Sequence, residues 1–234
     1  MTAYNLPWQP IFTIERGAKA EVTVYGIVSA CVPNNTTASA INDFNKTLKE
    51  RYKPLIGYGD TDFTLWTRSL LKPWQLLSHM DELKKSYPNL EEEHFALFMA
   101  SHSAEPVHIA ALEKVWQITG VEEKSLRCPA AAPLSQETKV LAKAKGEKTS
   151  RRYHNCSGKH TSYLAALKAE GKPLETYLDP ANPHHMRLKE ILSGFTGRPL
   201  EQFVHTTDGC QLPNYALSTF EMAAFYQSLS LIHI

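Results

Sequence analysis

Residues 153–167 of this 234-residue chain read YHNCSGKHTSYLAAL. The stretch places Cys156, Lys159 and His160 directly before an apolar run that has the spacing of a helix. A thiol, an amine and an imidazole at one helix start are groups that bind metal ions or take part in catalysis. The stretch therefore predicts a helix within residues 157–171 and raises the question of what these three side chains do in its first turn.

The composition is that of an ordinary globular protein. Hydrophobic residues make up 43%, aromatic residues 10% and charged residues 21%, which argues against disorder and fibrous repeats. The net charge of +1 gives no electrostatic case for nucleic acid or an anionic membrane. The sequence shows no secretory leader and no run of about 18 apolar residues. We therefore expect a cytoplasmic protein without nucleic-acid or membrane partners, whose four cysteines are free thiols or metal ligands.

The hydrophobic pattern predicts strands at the two ends of a helix-rich chain. Residues 11–32 predict a β-hairpin around the turn RGAK. Residues 128–148 predict a solvated loop, and residues 200–229 predict a short strand, a turn at DGC and an apolar helix. The spacing of apolar residues predicts helices in the segments 34–55, 67–88, 89–104, 106–119 and 157–171.

Two serines are candidates for nucleophilic chemistry. Ser69 and Lys72 form an S-x-x-K pair at a predicted helix start, where residues three apart share one face. A neutral Lys72 amine could accept the Ser69 proton during attack on a carbonyl, provided that burial or a cationic neighbour such as Arg68 removes its charge. Ser101 ends another predicted helix in ASHSAEPVH. The alternatives are an ordinary amphipathic pair for the first serine and a capping cluster for the second.

The cysteines suggest a metal site. Cys156 and Cys210 each lie at a turn before a predicted element, and two thiolates brought together could hold a borderline cation such as zinc. The further ligands could be His154, His160, a water or a deprotonated Lys159. Spacing alone favours the alternative that the cysteines are buried core residues.

Four motifs, in this order, resemble the L-asparaginases of the rhizobial type, the asparaginase II family. They are RSLLKPWQLL, ASHSAEPVHIAALEKV, NCSGKHTSYLAAL and DGCQLP, and the family carries RS-x-x-KP-x-Q-x-L, SH-x-x-EP-x-H, NCSGKH and DGC-x-x-P. The resemblance covers residues from about 11 to 227. It implies an α+β fold in which an antiparallel sheet is packed with helices, like that of the serine β-lactamases and glutaminases.

The resemblance implies an amidohydrolase that cleaves the side-chain amide of L-asparagine to L-aspartate and ammonia through a Ser-Lys acyl-enzyme. In this interpretation Ser69 is the nucleophile and Lys72 is its base. Ser101 matches a second active-site serine, whose lysine partner lies in the family's C-terminal part. A penicillin-recognising or glutaminase-like hydrolase is the rival enzyme, but the sequence lacks the S-D-N and K-T-G elements of those families.

The resemblance also implies a substrate pocket beside a zinc ion. The polar positions that line the pocket match Arg68, His160 and Asp208, and we choose Asp208 to hold the α-ammonium group of the substrate. The family's zinc ligands match Cys156, Lys159 and Cys210. Zinc would then organise the site and its substrate contacts instead of supplying a hydroxide. A homodimer is a further expectation from the resemblance.

Two departures from the family limit this interpretation. In EVTVYG, Val22 and Val24 replace the serine and histidine of the family's ES-x-H-x-G. The family's second lysine is absent, and residues from about 228 do not resemble the family. The expected organisation is an asparaginase II-like domain over residues 1–227 that is C-terminally incomplete, followed by a tail of uncertain origin at residues 228–234. A non-catalytic, truncated zinc-binding remnant of the same fold is the alternative function.

Overall fold

The computed structural model describes residues 7–16, 18–35, 43 and 46–232. They divide into two compact units. The first contains the described residues up to Thr67, Leu192–Val204 and those from Tyr215, and the second contains Arg68–Ile191 and His205–Asn214. Helices combine with antiparallel strands, so the predicted α+β class is confirmed. Among the described residues, no helix has the length and apolarity needed to cross a bilayer.

The first unit begins with two antiparallel strand pairs. Strands β1 (Gln9–Arg16) and β2 (Lys19–Gly26) pair in the register Thr13↔Thr23, which confirms the predicted hairpin. Strand β3 (Val28–Pro33) pairs antiparallel with β4 (Tyr52–Tyr58).

The helix predicted within residues 34–55 is only partly testable, because residues 36–42 and 44–45 lie outside the described residues. The described end of the segment has a single helical turn, α1 (Leu48–Arg51), and then enters β4. Lys53-Pro54, predicted to end a helix, lies inside this strand. Pro54 is tolerated because the β3–β4 pair is two-stranded, and an edge strand can hold a residue that lacks an N–H.

The rest of the first unit packs around aromatic side chains. Strand β5 (Thr64–Trp66) pairs antiparallel with β7 (Pro213–Ser218) in the register Leu65↔Leu217, and helix α9 (Thr219–Ile232) follows β7. The rings of Phe195 and Phe225 meet edge to face at 4.1 Å between centroids. The sequence pattern did not predict β7.

The second unit is built around helix α7 (Ser157–Ala169). Its residues from Ser157 to Leu167 are all buried, including the polar ones in the first turn, so only the last turn of this helix reaches solvent. A Cβ atom on Gly158 would lie 2.5 Å from the carbonyl oxygen of Leu97. The remaining elements are α2 (Lys72–Leu77), α3 (Met80–Ser86), α4 (Glu92–Met99), α5 (Pro106–Thr119), α6 (Gln136–Ala144), α8 (Pro183–Thr196, which continues into the first unit) and β6 (His205–Thr207).

The predicted helices of this unit are partly confirmed. Helix α5 ends where expected, with Gly120 in the left-handed conformation at φ 65°. The segment 67–88 is broken between α2 and α3 at His79, whose φ of −142° is not helical. The loop predicted for residues 128–148 is wrong over α6, which begins at an N-cap, Ser135, that accepts from the Thr138 amide.

Candidate active site

The two candidate serines and Lys72 form one hydrogen-bonded series. The Lys72 Nζ atom donates to the carbonyl oxygen of Ala100 at 2.6 Å and to Ser101 Oγ at 2.8 Å. Ser101 Oγ in turn donates to Ser69 Oγ at 3.1 Å. The structure thus brings the three residues together, and Lys72 reaches Ser69 through Ser101.

Local structure places these groups at different depths. Ser69 lies in a 3₁₀ turn, Arg68–Leu71, and Lys72 is the first residue of α2. Ser101 follows α4 after the extended residue Ala100. Both serines are exposed, whereas Lys72 is only 1% exposed. The series therefore joins a buried amine to two accessible hydroxyls.

The surroundings of Lys72 favour its neutral form. Burial is the largest influence and lowers the pKa of Lys72. Cys156 opposes this shift, while the positive charge of Lys159 also lowers the pKa. A neutral amine is the form that can accept a proton.

Three residues near the site adopt a left-handed backbone although none is glycine. Arg68 precedes Ser69 and has φ 53°, Ala104 follows the Ser101 segment with φ 60°, and Gln211 follows Cys210 with φ 75°. This conformation costs a non-glycine residue roughly 1–2 kcal/mol. Such strain concentrates at functional sites, so the backbone conformation indicates the same candidate site as the hydrogen-bonded side chains.

The cysteine–lysine clip consists of Cys156, Lys159 and Cys210, all of which are buried. Lys159 Nζ lies 3.1 Å from Cys210 Sγ. The hydrogen bond from Cys156 is the main cause that lowers the pKa of Cys210, and the same bond, together with burial, raises the pKa of Cys156. Both shifts favour Cys210 over Cys156 as the thiolate of the pair.

His160 lies behind this clip and is fully buried. The Tyr177 hydroxyl accepts the Arg127 amide hydrogen at 2.6 Å and lies 2.8 Å from His160 Nδ1. Either group can be the donor in this contact, according to which imidazole nitrogen carries the hydrogen. His160 is a further influence that lowers the pKa of Cys210.

The predicted substrate-binding residues Arg68 and Asp208 form an ion pair. The guanidinium Nη1 lies 2.8 Å from Asp208 Oδ1. The Arg68 side chain is 62% exposed and that of Asp208 only 8%. Asp208 also accepts from the Gly209 amide at 2.9 Å. An exposed cation and a buried anion therefore meet next to Ser69.

Comparison with known proteins places these residues in a family. The model of the family described as L-asparaginase II matches residues 46–233. The chain belongs to the L-asparaginase II family. No curated protein matches the chain. Membership supports hydrolysis of the asparagine amide, and the matched range includes every residue of the candidate site.

His102 is a residue of this L-asparaginase II chain whose position the sequence did not reveal. It is 3% exposed, its Nδ1 accepts from the Ala104 amide at 3.1 Å, and its Nε2 lies 2.8 Å from Ser157 Oγ. The ring must therefore be neutral with its hydrogen on Nε2. It ties the segment that carries Ser101 to the start of α7. Only its place next to Ser101 in the motif could have indicated this role.

We expect His102 to make the stability of the protein pH-dependent. Burial, followed by the charges of His108 and Lys72, lowers its pKa to about 4. Between pH of about 6.5 and 4 the unfolded chain binds a proton that the folded chain does not, so acidification should lower the free energy of unfolding by about 3 kcal/mol through this residue.

This expectation is checked by urea unfolding of the wild type and His102→Asn at several pH values. Asparagine is uncharged and keeps an acceptor for the Ala104 amide, so the variant should lose less stability between neutral pH and pH of about 4. The exposed His205 gives the control, His205→Asn, which should retain the wild-type slope. An unchanged slope in His102→Asn would contradict the assignment.

Proposed function

We propose that the chain hydrolyses the side-chain amide of L-asparagine to L-aspartate and ammonia through an acyl-enzyme on Ser69. The observation that carries this proposal is the series Ser69–Ser101–Lys72, in which a buried amine is linked to an exposed hydroxyl. Membership of the L-asparaginase II family supports the substrate.

The series provides a path for one proton. When Lys72 is neutral, its nitrogen accepts from the Ser101 hydroxyl, and Ser101 Oγ accepts from Ser69. As Ser69 Oγ bonds to the amide carbon, its proton moves to Ser101, and the Ser101 proton moves to Lys72 Nζ. A positioned base of this kind accelerates the step by about 10²–10⁴-fold.

The same path completes the reaction in the opposite direction. Lys72 returns the proton through Ser101 to the departing nitrogen, so the carbon–nitrogen bond breaks and ammonia leaves. Water then attacks the ester carbon and loses a proton toward Lys72, and Ser69 recovers its hydrogen as aspartate leaves. Backbone amides near Ser69 and Ser101 are the donors that we propose for the oxyanion.

The ion pair of Arg68 and Asp208 suits the zwitterionic end of asparagine. We assign the α-ammonium group to the Asp208 carboxylate, since a charge-assisted hydrogen bond is strong at a buried anion. The exposed guanidinium can pair with the α-carboxylate, for which its planar fork is suited. The side-chain amide then extends toward Ser69, the residue that follows Arg68.

The donor atoms of the clip fit a zinc ion. Two sulfurs and an amine converge in a buried place, with Lys159 3.1 Å from Cys210, and zinc accepts both sulfur and nitrogen ligands. In the described part of the chain, no group of three or more His, Cys, Asp and Glu side chains could hold a metal ion. We propose Lys159 as the third donor, since its amine lies 3.1 Å from Cys210. Bound zinc would supply a fixed positive charge beside the pocket.

We expect Cys210→Ala to lose this metal. Elemental analysis of the purified variant should find the zinc content reduced at least about tenfold, because one of two thiolate ligands is removed. Cys31 is also a buried free cysteine but lies in the first unit, so Cys31→Ala should keep the wild-type content. Equal zinc in Cys210→Ala and the wild type would exclude the clip as the site.

The direct test of the function is release of ammonia and L-aspartate from L-asparagine by the purified chain, with L-glutamine measured in parallel. Release of both products in equal amounts is expected. A folded, zinc-loaded chain without turnover would contradict the proposal and favour the non-catalytic zinc-binding alternative.

The family resemblance also leads us to propose a cytoplasmic homodimer. Light scattering of the purified protein measures its mass in solution, and the mass of a single chain would contradict the dimer.

A further inference from the structure

We propose that Asn214 is a positioning residue, which orients Ser69 by holding the backbone of Arg68 in its left-handed conformation. This inference rests on the proposed function of Ser69. Asn214 lies after the DGC-x-x-P motif and has no part in the proton path or the clip. Its role would be exerted through the peptide groups next to the nucleophile.

The side-chain amide of Asn214 satisfies both backbone polar groups of one residue. The Arg68 amide donates to Asn214 Oδ1 at 3.1 Å, and Asn214 Nδ2 donates to the Arg68 carbonyl oxygen at 3.1 Å. Asn214 is 1% exposed. An aspartate could make only the first bond and a leucine neither, so the pair of contacts requires a carboxamide.

Position 68 combines two requirements that no single residue type meets easily. Its φ of 53° is a conformation that glycine adopts without cost and arginine does not. Its side chain must nevertheless be an arginine, since the guanidinium pairs with Asp208. The two hydrogen bonds from Asn214 stabilise the strained conformation while leaving the guanidinium free to reach Asp208.

The contacts of Asn214 also connect the nucleophile to the clip. The segment Asp208–Leu212 is a tight turn, in which the Gln211 amide donates to the Asp208 carbonyl at 2.7 Å and the Asp208 amide donates to the Leu212 carbonyl at 2.9 Å. Cys210 lies within this turn, and Asn214 follows it in β7. The residues on the two sides of Cys210 therefore hold Arg68 at different points, Asp208 by the guanidinium and Asn214 by the backbone.

Steady-state kinetics of Asn214→Leu and Asn214→Asp test the positioning role. A small misplacement of a reacting group can lower a rate by about 10²-fold, so we expect kcat for L-asparagine to fall about 100-fold in Asn214→Leu. KM should change less than about threefold, because Asp208 and Arg68 keep their charges. Asn214→Asp retains the acceptor for the Arg68 amide and should recover part of the loss.

Asn182 offers a matched control. It is also a buried asparagine whose side chain bonds the backbone of a turn, accepting from the His184 amide at 3.0 Å, and its other side-chain hydrogen bonds go to Thr176. Asn182→Leu should lose thermal stability and keep kcat. If Asn214→Leu remains folded with unchanged kcat, or if both variants lose kcat equally, the positioning role is wrong.

A double-mutant cycle with Arg68→Gly tests the clamp without measuring activity. In the wild-type background, Asn214→Leu should lower Tm by about 4 °C or more. In the Arg68→Gly background the same two hydrogen bonds are lost, but no strained conformation is left to be held, so the Tm loss should be smaller than in the wild-type background.

The two experiments separate the inference from the function on which it rests. Equal Tm losses in both backgrounds would refute the clamp, whether or not the chain hydrolyses asparagine. A wild type without turnover would refute the proposed function and with it the orienting role of Asn214. If the Tm losses nevertheless differ between the two backgrounds as expected, the effect of Asn214 on the backbone of Arg68 would still stand.

Discussion

Replacing Ser69 with alanine should lower ammonia release from L-asparagine by about 10⁴-fold or more, the scale seen when a nucleophile is deleted. Ser69 Oγ is the atom that forms the acyl bond in the proposed mechanism, and alanine leaves the 3₁₀ turn that carries it unaltered. The side chain is exposed, so Tm and zinc content should remain those of the wild type. Steady-state assays under saturating substrate measure the loss.

Ser101→Ala is the variant to compare with Ser69→Ala, because Ser101 Oγ lies 3.1 Å from Ser69 Oγ and 2.8 Å from Lys72 Nζ. Ser101→Ala interrupts the proton path but keeps the nucleophile, so its loss should be smaller, about 10²–10³-fold. Rapid acid quenching and peptide mass analysis should find the acyl group on the peptide that contains Ser69. An adduct on Ser101, with activity retained in Ser69→Ala, would exchange the two roles.

Lys72→Met should lower kcat by about 10³-fold, within the range that a general base contributes. Methionine fills a similar space without a proton acceptor, and Lys72 is buried. Removal of a buried amine also removes a group that is costly to keep charged, so Tm should not fall. The combination of lost turnover and retained stability distinguishes a base from a structural lysine.

Two further variants test whether Lys72 acts as a base or through its charge. Lys72→Arg keeps a positive charge that is not given up in proteins and should be as inactive as Lys72→Met. Lys168 is an exposed lysine whose amine donates to the Gly120 carbonyl, and Lys168→Met should keep the wild-type kcat. Turnover by Lys72→Arg comparable to that of the wild type would show that Lys72 acts through its charge and not as a base.

The sequence predicted those parts of the fold that local signals determine. The RGAK turn between β-rich runs indicated the first hairpin, Gly120 indicated the end of α5, and the apolar run after NCSGKH indicated α7. Each signal lies within a few residues of the structure that it specifies.

Other parts depend on contacts that the local pattern does not contain. Residues 52–58 form a strand through pairing with β3, although the residues before them have helical spacing. The break between α2 and α3 lies at His79, whose φ of −142° no local signal predicted. Tertiary pairing outweighs local preference in such segments.

The candidate site shows the same division. The motifs predicted which residues matter, but not that Ser101 stands between Ser69 and Lys72. The hydrogen bonds between Arg68 and Asn214 join positions 146 residues apart. Neither an arginine nor an asparagine in a sequence indicates which residue it will bond. Such long-range contacts are specified by packing, which becomes visible only in three dimensions.

The close packing around Gly158 affects how the results of a mutational scan should be interpreted. A side chain there would strike the carbonyl oxygen of Leu97 at the contact between α4 and α7, so a mutational library should retain glycine as strictly as it retains the neighbouring cysteine and lysine. A mutational scan that assigns a catalytic role to every position intolerant of substitution would wrongly count Gly158 as catalytic. Its intolerance is expected in assays of folding as well as turnover, whereas that of Ser69 is expected in turnover alone, and comparing the two assays separates spacing from reactivity.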